Sequence, residues 1–314
     1  MKAALLIARR EIQLLRRSRA THGSVVLLTA LAWTPAVLLP LRSGSLGLSA
    51  FADMLPLQIA LSGVVLPLLA LLAGAELLAG EIEDGSLIPS LTLPLSRRTC
   101  LAGKCLGRSS ILALAYLIAF ATVGVAVAMN RGIDSWRDWA AVTLAGLLLS
   151  LATGGIGIAL GASGKGRVRV FGAALIAWIV LVFALDGLLL AGLVALAPAP
   201  PTEVGKHGHT ELAAPRQPAP SGRSLQSKDP HARHSEAEAE PMTTPSTWIL
   251  ALNPVSLFRV TALTASPVLR PRVGLSFPNS RPRELLSTIA LGWLVWLVLP
   301  LGAAFYRFQR TDLF

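Results

Sequence analysis

Six long apolar stretches alternate with polar segments along the chain, and each approaches the roughly 20 residues that a membrane-spanning helix needs. The stretches are continuous and rich in Leu, Ala and Val, without the two-residue alternation of a β-barrel strand. The predicted spans are residues 24–41, 55–78, 107–129, 139–162, 170–196 and 285–306. The pattern therefore predicts an all-α integral membrane protein with six transmembrane helices.

The polar segments predict the rest of the organisation. In residues 1–20, bases alternate with apolar residues at helical spacing, which predicts an amphipathic helix in the membrane interface; a disordered basic tail is the alternative. Residues 24–196 would hold the first five spans, with a polar coupling segment at 76–108.

The chain beyond the fifth span divides into three predicted parts. Residues 197–246 are rich in Pro, His and charge and cannot bury a core, so we expect a disordered extracytoplasmic loop. Residues 247–284 would form an extracytoplasmic helix, at 249–263, and a connection. Residues 285–314 would form the last span and a cytoplasmic tail.

Composition excludes a soluble protein, because 53% of the 314 residues are hydrophobic and the mean hydropathy is +0.62. A net charge of +11 could indicate nucleic acid, but in a polytopic membrane protein it reflects basic cytoplasmic segments, so no nucleic-acid partner is expected. Short basic segments occur at 1–20, 97–108, 164–169 and the C-terminus. The positive-inside rule therefore predicts a multi-pass protein of the cytoplasmic (inner) membrane with both ends in the cytoplasm.

The segment 76–108 is more elaborate than a passive connection between two spans. Acids come first, then a Gly85-Ser86 turn, a leucine-rich stretch with two prolines, and finally bases. This order predicts a short helix that offers leucines and charges to a partner protein.

Other candidate chemistry is sparse. Gly164-Lys165-Gly166 resembles the end of a phosphate-binding loop but lacks its first glycine and its Ser/Thr, so we expect no nucleotide site and no catalytic residue. Cys100 and Cys105 fit no common metal or redox spacing and are predicted to be free thiols.

Three features each allow two interpretations. Asp186 lies deep in the fifth apolar stretch, where it either caps a half-helix at a break or serves a translocation path. The histidines at 207, 209, 231 and 234 either belong to a solvated linker, which predicts no metal site, or bind a metal weakly. The Gly157-x-x-x-Gly161 motif predicts close helix packing, either within the protomer or between subunits.

Two sequence elements resemble ABC-2-type transporter permeases. The first is an acidic run, Gly-Ser-Leu, a leucine-rich stretch, Pro-x-Ser-Arg and Gly103-Lys104 after the second span. The second, Asn253-Pro254 followed by Phe258-Arg259, is similar to an element of the subset that contains the permease serving nitrous-oxide reductase maturation. Pro89 within the leucine-rich stretch and the long outer loop depart from the family pattern.

The resemblance implies a permease subunit that couples ATP hydrolysis in a separate ATP-binding-cassette subunit to export, in a homodimer within the lipid bilayer. ATP and Mg would bind to that partner, with no cofactor in this chain, and export could serve copper-site maturation with an extracytoplasmic partner protein. A non-transporting membrane anchor that recruits such a partner is the alternative. The implied ATPase-coupling residues are Glu81, Glu83, Asp84, Gly85, Ser86, Leu87, Leu91, Pro94, Ser96 and Arg97.

Overall fold

The computed structural model describes residues 2–42, 44, 46–86, 96–164, 166–185, 187–188, 251–266 and 282–310. In these ranges the regular elements are helices, and no strand occurs among the described residues. The α-helices are α1 (Lys2–Leu15), α2 (Arg19–Arg42), α3 (Phe51–Glu83), α4 (Arg97–Arg131), α5 (Trp136–Gly161), α6 (Arg167–Ile179), α7 (Pro254–Ala265) and α8 (Pro282–Arg310). A π-helix, Val180–Ala184, continues α6.

Six helical segments of the described chain are long and apolar enough to cross a membrane, which confirms the predicted fold class. They are Thr21–Arg42, Phe51–Glu83, Arg97–Arg131, Trp136–Gly161, Arg167–Ala184 and Leu285–Arg310. The N-terminal helix that was predicted in residues 1–20, before the first span, is present as α1.

Four helices, α2, α3, α4 and α8, extend beyond the predicted apolar spans at both ends. At 33 and 35 residues, α3 and α4 are about 50 Å long, whereas the hydrocarbon layer is about 30 Å thick. Their polar ends project past that layer at the same end of the bundle, because the C-terminal part of α3 and the N-terminal part of α4 are joined by an ion pair. The bases of the coupling segment, including Lys104, therefore belong to a helix rather than to a loop.

Glycines bring α3 and α5 into backbone contact at the centre of the fold. A Cβ at Gly157 would lie 2.2 Å from the carbonyl oxygen of Leu71, and one at Gly74 would lie 2.2 Å from that of Gly154. Small residues permit such an approach in membrane helices. The Gly157-x-x-x-Gly161 motif therefore packs within the protomer, because Gly161 also lies against the Ala75 carbonyl.

The N-terminal helix packs along the beginning of α4. Gly103 faces the Ala4 carbonyl and the Ile7 side chain, and Gly107 faces the Ala8 carbonyl and Glu11. A Cβ at Gly103 would come within 2.7 Å of Ala4, so this pair of helices also depends on glycine. The basic N-terminal segment is thus a folded part of the bundle rather than a tail.

Candidate functional site

The end of α3 leads directly into the predicted coupling segment. The backbone N–H of Asp84 donates to the Gly80 carbonyl and closes the helix, and Gly85 follows with a φ of +66°, a conformation that favours glycine. The side chains of Asp84 and Ser86 are exposed. The coupling residues Leu87, Leu91 and Pro94 lie outside the described residues.

The described chain resumes at Ser96, which caps α4. Its Oγ accepts a hydrogen bond from the Thr99 backbone N–H at 3.2 Å, which satisfies one of the unpaired donors at a helix start. Arg97 follows as the first residue of α4. Ser96, the serine of the Pro-x-Ser-Arg motif, therefore determines where α4 begins.

Lys104 links three helices beneath the exposed turn. Its Nζ donates to Glu81 Oε1 at 2.5 Å and lies 4.0 Å from Glu11 Oε2 on α1. The Lys104 side chain is only 7% exposed, so these charges interact with little screening by water. Burial raises the pKa of Glu11, and the nearby Glu81 carboxylate acts in the same direction against the lowering effect of Lys104. Glu81 therefore contacts the interior of the protein rather than its surface.

A second ion pair joins α3 to the start of α6. The Arg167 guanidinium donates to both carboxylate oxygens of Glu76, from Nε at 3.0 Å and from Nη2 at 2.6 Å. It also lies 5.5 Å from the Phe171 ring centroid. The Arg167 backbone N–H donates to Glu83 Oε2 at 3.1 Å. Bidentate pairing fixes orientation as well as distance, so α6 begins at a defined position against α3.

These contacts sort the predicted coupling residues that the structure describes into two groups. Glu81 and Glu83 hold neighbouring helices, whereas Asp84, Gly85 and Ser86 form the turn above them. Ser96 and Arg97, which also belong to the predicted set, begin α4 instead. Lys104, Glu11 and Arg167 were not among the predicted coupling residues. Their partners lie 23 to 93 positions away on other helices, so a single sequence gives no direct signal for the pairs.

At the other end of the bundle, Asn253 connects α7 to the π-helix. Its side chain accepts from the Val255 N–H at 3.1 Å and donates from Nδ2 to the Leu181 carbonyl at 2.8 Å. The π-helix disturbs the regular backbone ladder, and π-bulges occur frequently at functional sites. Pro254 occupies the first helical position of α7, directly after the Asn253 cap. Residues 249 and 250, where the predicted helix 249–263 begins, lie outside the described residues.

Asp186 and the four outer-loop histidines lie outside the described residues. Within the part of the chain that the structure describes, no group of three or more His, Cys, Asp or Glu side chains is arranged to hold a metal ion. Cys100 and Cys105 are free and buried.

Comparison with known protein families identifies the family to which this chain belongs. A sequence model described as ABC-2 family transporter protein matches residues 5–313. The chain belongs to the ABC-2 family of transporter proteins.

Two relatives of this ABC-2 chain are named probable ABC transporter permease protein NosY. The protein of Stutzerimonas stutzeri is 33% identical over 194 residues, covering 60% of this chain and 70% of that protein. The protein of Pseudomonas aeruginosa is 35% identical over 102 residues, covering 32% of this chain and 36% of that protein. This ABC-2 chain is accordingly a multi-pass membrane permease subunit of a transporter, and its family implies an ATPase partner in general.

Proposed function

We propose that this permease couples ATP hydrolysis by a separate ATP-binding-cassette subunit to export, and that residues 82–95 form the docking element for that subunit. The observation that carries the proposal is the exposed Asp84–Ser86 turn, which rests on ion pairs between four helices. ATP and Mg would bind to the partner subunit.

The ion pairs offer a route from the docking element into the membrane helices. Leu87 and Leu91 would enter a groove of the ATPase, where each fully buried leucine contributes about 1.5–3 kcal/mol. A displacement of the turn would act on α4 through Glu81 and Lys104, and on α6 through Glu83 and Arg167. Charges at the rim, such as Asp84 and Arg97, would set partner choice more than affinity.

The positions of the basic segments support the proposed orientation, with both chain ends in the cytoplasm. Arg98 Nη2 donates to Gln309 Oε1 at 3.1 Å, so the start of α4 lies beside the end of α8. Because α1 packs on α4 and α6 begins against α3, all the short basic segments occur at one end of the bundle. If the protein lies in the cytoplasmic membrane, as we propose, the positive-inside rule assigns that end of the bundle to the cytoplasm.

The working assembly we propose is a homodimer of the permease with one ATPase docked on each protomer. The substrate path would run between protomers, with Asp186 as a candidate residue along it. The likeness to NosY proteins makes export in support of copper-site maturation, with an extracytoplasmic partner protein, the proposed setting.

Co-purification of a cognate ATPase subunit in detergent tests the docking element. Leu91→Asp should release the ATPase, because a charge in a desolvated contact costs several kcal/mol, of the order of 3. Leu46→Asp is the matched control: Leu46 is 94% exposed and lies between α2 and α3, at the opposite end of the bundle. Equal retention of the ATPase by both variants would contradict the docking proposal and favour the membrane-anchor alternative.

A further inference from the structure

A cavity of about 290 Å³ opens between α2, α3, α4 and α6. The Glu76–Arg167 ion pair forms part of its wall, but the coupling proposal gives the cavity itself no role. One end is polar, with Thr21, Glu76, Arg108 and Arg167. Thr21 and Arg167 lie in the first turns of α2 and α6, whereas Arg108 lies about three turns into α4 and Glu76 about two turns before the end of α3, all in the half of the bundle that contains α1. The cavity therefore begins where the hydrocarbon layer meets the polar interface.

The other part of the cavity is apolar. Its wall is formed by side chains one or two helical turns farther into the membrane. They are Leu69, Leu72, Ile111, Leu112, Ala115 and Phe171. A ligand that fits must carry a polar group at one end and hydrocarbon next to it.

One charged group at the polar end, the Arg108 guanidinium, is suited to an anion. Arg167 is occupied by both oxygens of Glu76, and Lys104 lies within 4.0 Å of the carboxylates of Glu11 and Glu81. Arg108 differs: its Nε donates to the Ala73 carbonyl at 3.1 Å. Among the described residues no carboxylate lies within salt-bridge distance of Arg108, although Glu11, Glu76 and Glu81 interact with its charge from farther away. Its terminal Nη1 and Nη2 are thus available to a phosphate at the cavity.

Further bases lie close to Thr21 in the sequence. Arg16, Arg17 and Arg19 are exposed and directly precede Thr21, the first residue of α2 that lines the cavity. Juxtamembrane bases attract anionic lipids by about 1 kcal/mol each. Free inorganic phosphate would use the arginine but leave the apolar wall uncovered.

We propose that this cavity binds an anionic phospholipid, with its phosphate on Arg108 and the first part of its acyl chains against the leucine wall. A cavity of about 290 Å³ holds the headgroup-proximal part of such a lipid, while the remaining hydrocarbon stays in the bilayer. The site goes beyond the proposed coupling function and does not depend on it.

Native mass spectrometry of the full chain in detergent tests the site, with phosphatidylglycerol as the probe and phosphatidylcholine as the zwitterionic comparison. The wild type should retain phosphatidylglycerol selectively. Arg108→Gln should weaken this binding roughly tenfold or more, because a charge-assisted hydrogen bond is lost. Arg98→Gln is the matched control, since it removes the same charge from an exposed residue outside the cavity and should retain the lipid.

Two further measurements keep the test independent of misfolding. Ala73→Phe fills the cavity without changing charge and should also lose the lipid, while thermal unfolding without added lipid confirms that each variant is folded. Glycerol phosphate alone should not shift the unfolding midpoint. Equal retention by Arg108→Gln, equal retention of phosphatidylcholine, no lipid retention at all, or a shift with glycerol phosphate would each overturn the proposal.

Discussion

Glu11 illustrates how a single residue of the N-terminal helix becomes part of the bundle. Its carboxylate and that of Glu81 share the ammonium group of Lys104, and all three side chains are largely buried. Removing one partner of such a cluster is costly, because the charge left behind is no longer compensated. Burial of Glu11 itself opposes its ionisation, which raises its pKa above the ordinary value near 4.5.

This raised pKa predicts a pH-dependent difference between the wild type and Glu11→Gln. Below about pH 4.5 Glu11 is protonated in both the folded and the unfolded chain, so its contribution to stability is fully present. That contribution is lost as the pH rises through the folded-state pKa. Glutamine has no such loss, so the unfolding midpoint of Glu11→Gln in detergent should rise relative to wild type with increasing pH. A relative fall would contradict the prediction.

Asn253 offers a second prediction at this scale, because it caps α7 as an acceptor and holds the π-helix as a donor. Asp is normally as good a helix cap as Asn, but it cannot donate to the Leu181 carbonyl. Because Asn253 is fully buried, Asn253→Asp would also place a carboxylate beside that oxygen. Asp should therefore lower the free energy of unfolding by at least about 1–3 kcal/mol, the cost of an unsatisfied buried group.

Thermal unfolding of Asn253→Asp and Asn253→Ala in detergent measures this difference. Ala removes both hydrogen bonds but adds no charge, so it should be no worse than Asp. Wild-type stability of the Asp variant would show that capping alone matters at this position.

At the scale of helices, the contact between α3 and α5 leaves no room for a side chain at Gly157. A Cβ there would lie 2.2 Å from the Leu71 carbonyl, so Gly157→Ala must separate the helices and should cost about 1–3 kcal/mol. Gly172 on α6 is the matched control, because nothing lies within 4 Å of its added Cβ. Gly172→Ala should be neutral or stabilising by about 0.5–1 kcal/mol, since alanine favours helix.

Unfolding midpoints of the two alanine variants, measured in the same detergent, distinguish backbone contact from helix propensity. If Gly157→Ala raised the unfolding midpoint, as Gly172→Ala is expected to do, then close packing of α3 on α5 would not contribute to stability.

The positions of the helices were more predictable than their ends. A continuous apolar stretch requires a helix in lipid, so the six spans follow from hydropathy alone. The ends depend on specific contacts: α4 begins ten residues before its predicted span because Ser96 caps it and Lys104 is paired. α7 begins at Pro254 because Asn253 supplies the cap.

The candidate site was predictable only in part, for a related reason. The acid–turn–leucine–base order of residues 76–108 is local and visible in the sequence. The pairing of Arg167 with Glu76 spans 91 positions, and it arises only when α6 folds back onto α3. Burial then decides which acids stay at the surface, and hydropathy does not report burial of single charged side chains.

At the scale of the whole molecule, the short basic segments converge at one end of the bundle. The contact of Arg98 with Gln309 joins α4 to α8, and that of Arg167 with Glu83 joins α6 to α3. The positive charges of distant parts of the sequence therefore form one polar face. A membrane potential and anionic cytoplasmic lipids both favour keeping such a face inside the cell.

This convergence predicts an asymmetric labelling pattern for single cysteines in a chain whose buried Cys100 and Cys105 have been replaced by alanine. Gly166→Cys, in the exposed turn before α6, should react with a membrane-impermeant maleimide only after the cells are permeabilised. Leu46→Cys, at the opposite end, should react in intact cells because Leu46 is 94% exposed. The reversed pattern would place the docking turn outside the cell, where no ATP-driven partner could reach it, and the coupling proposal would be wrong.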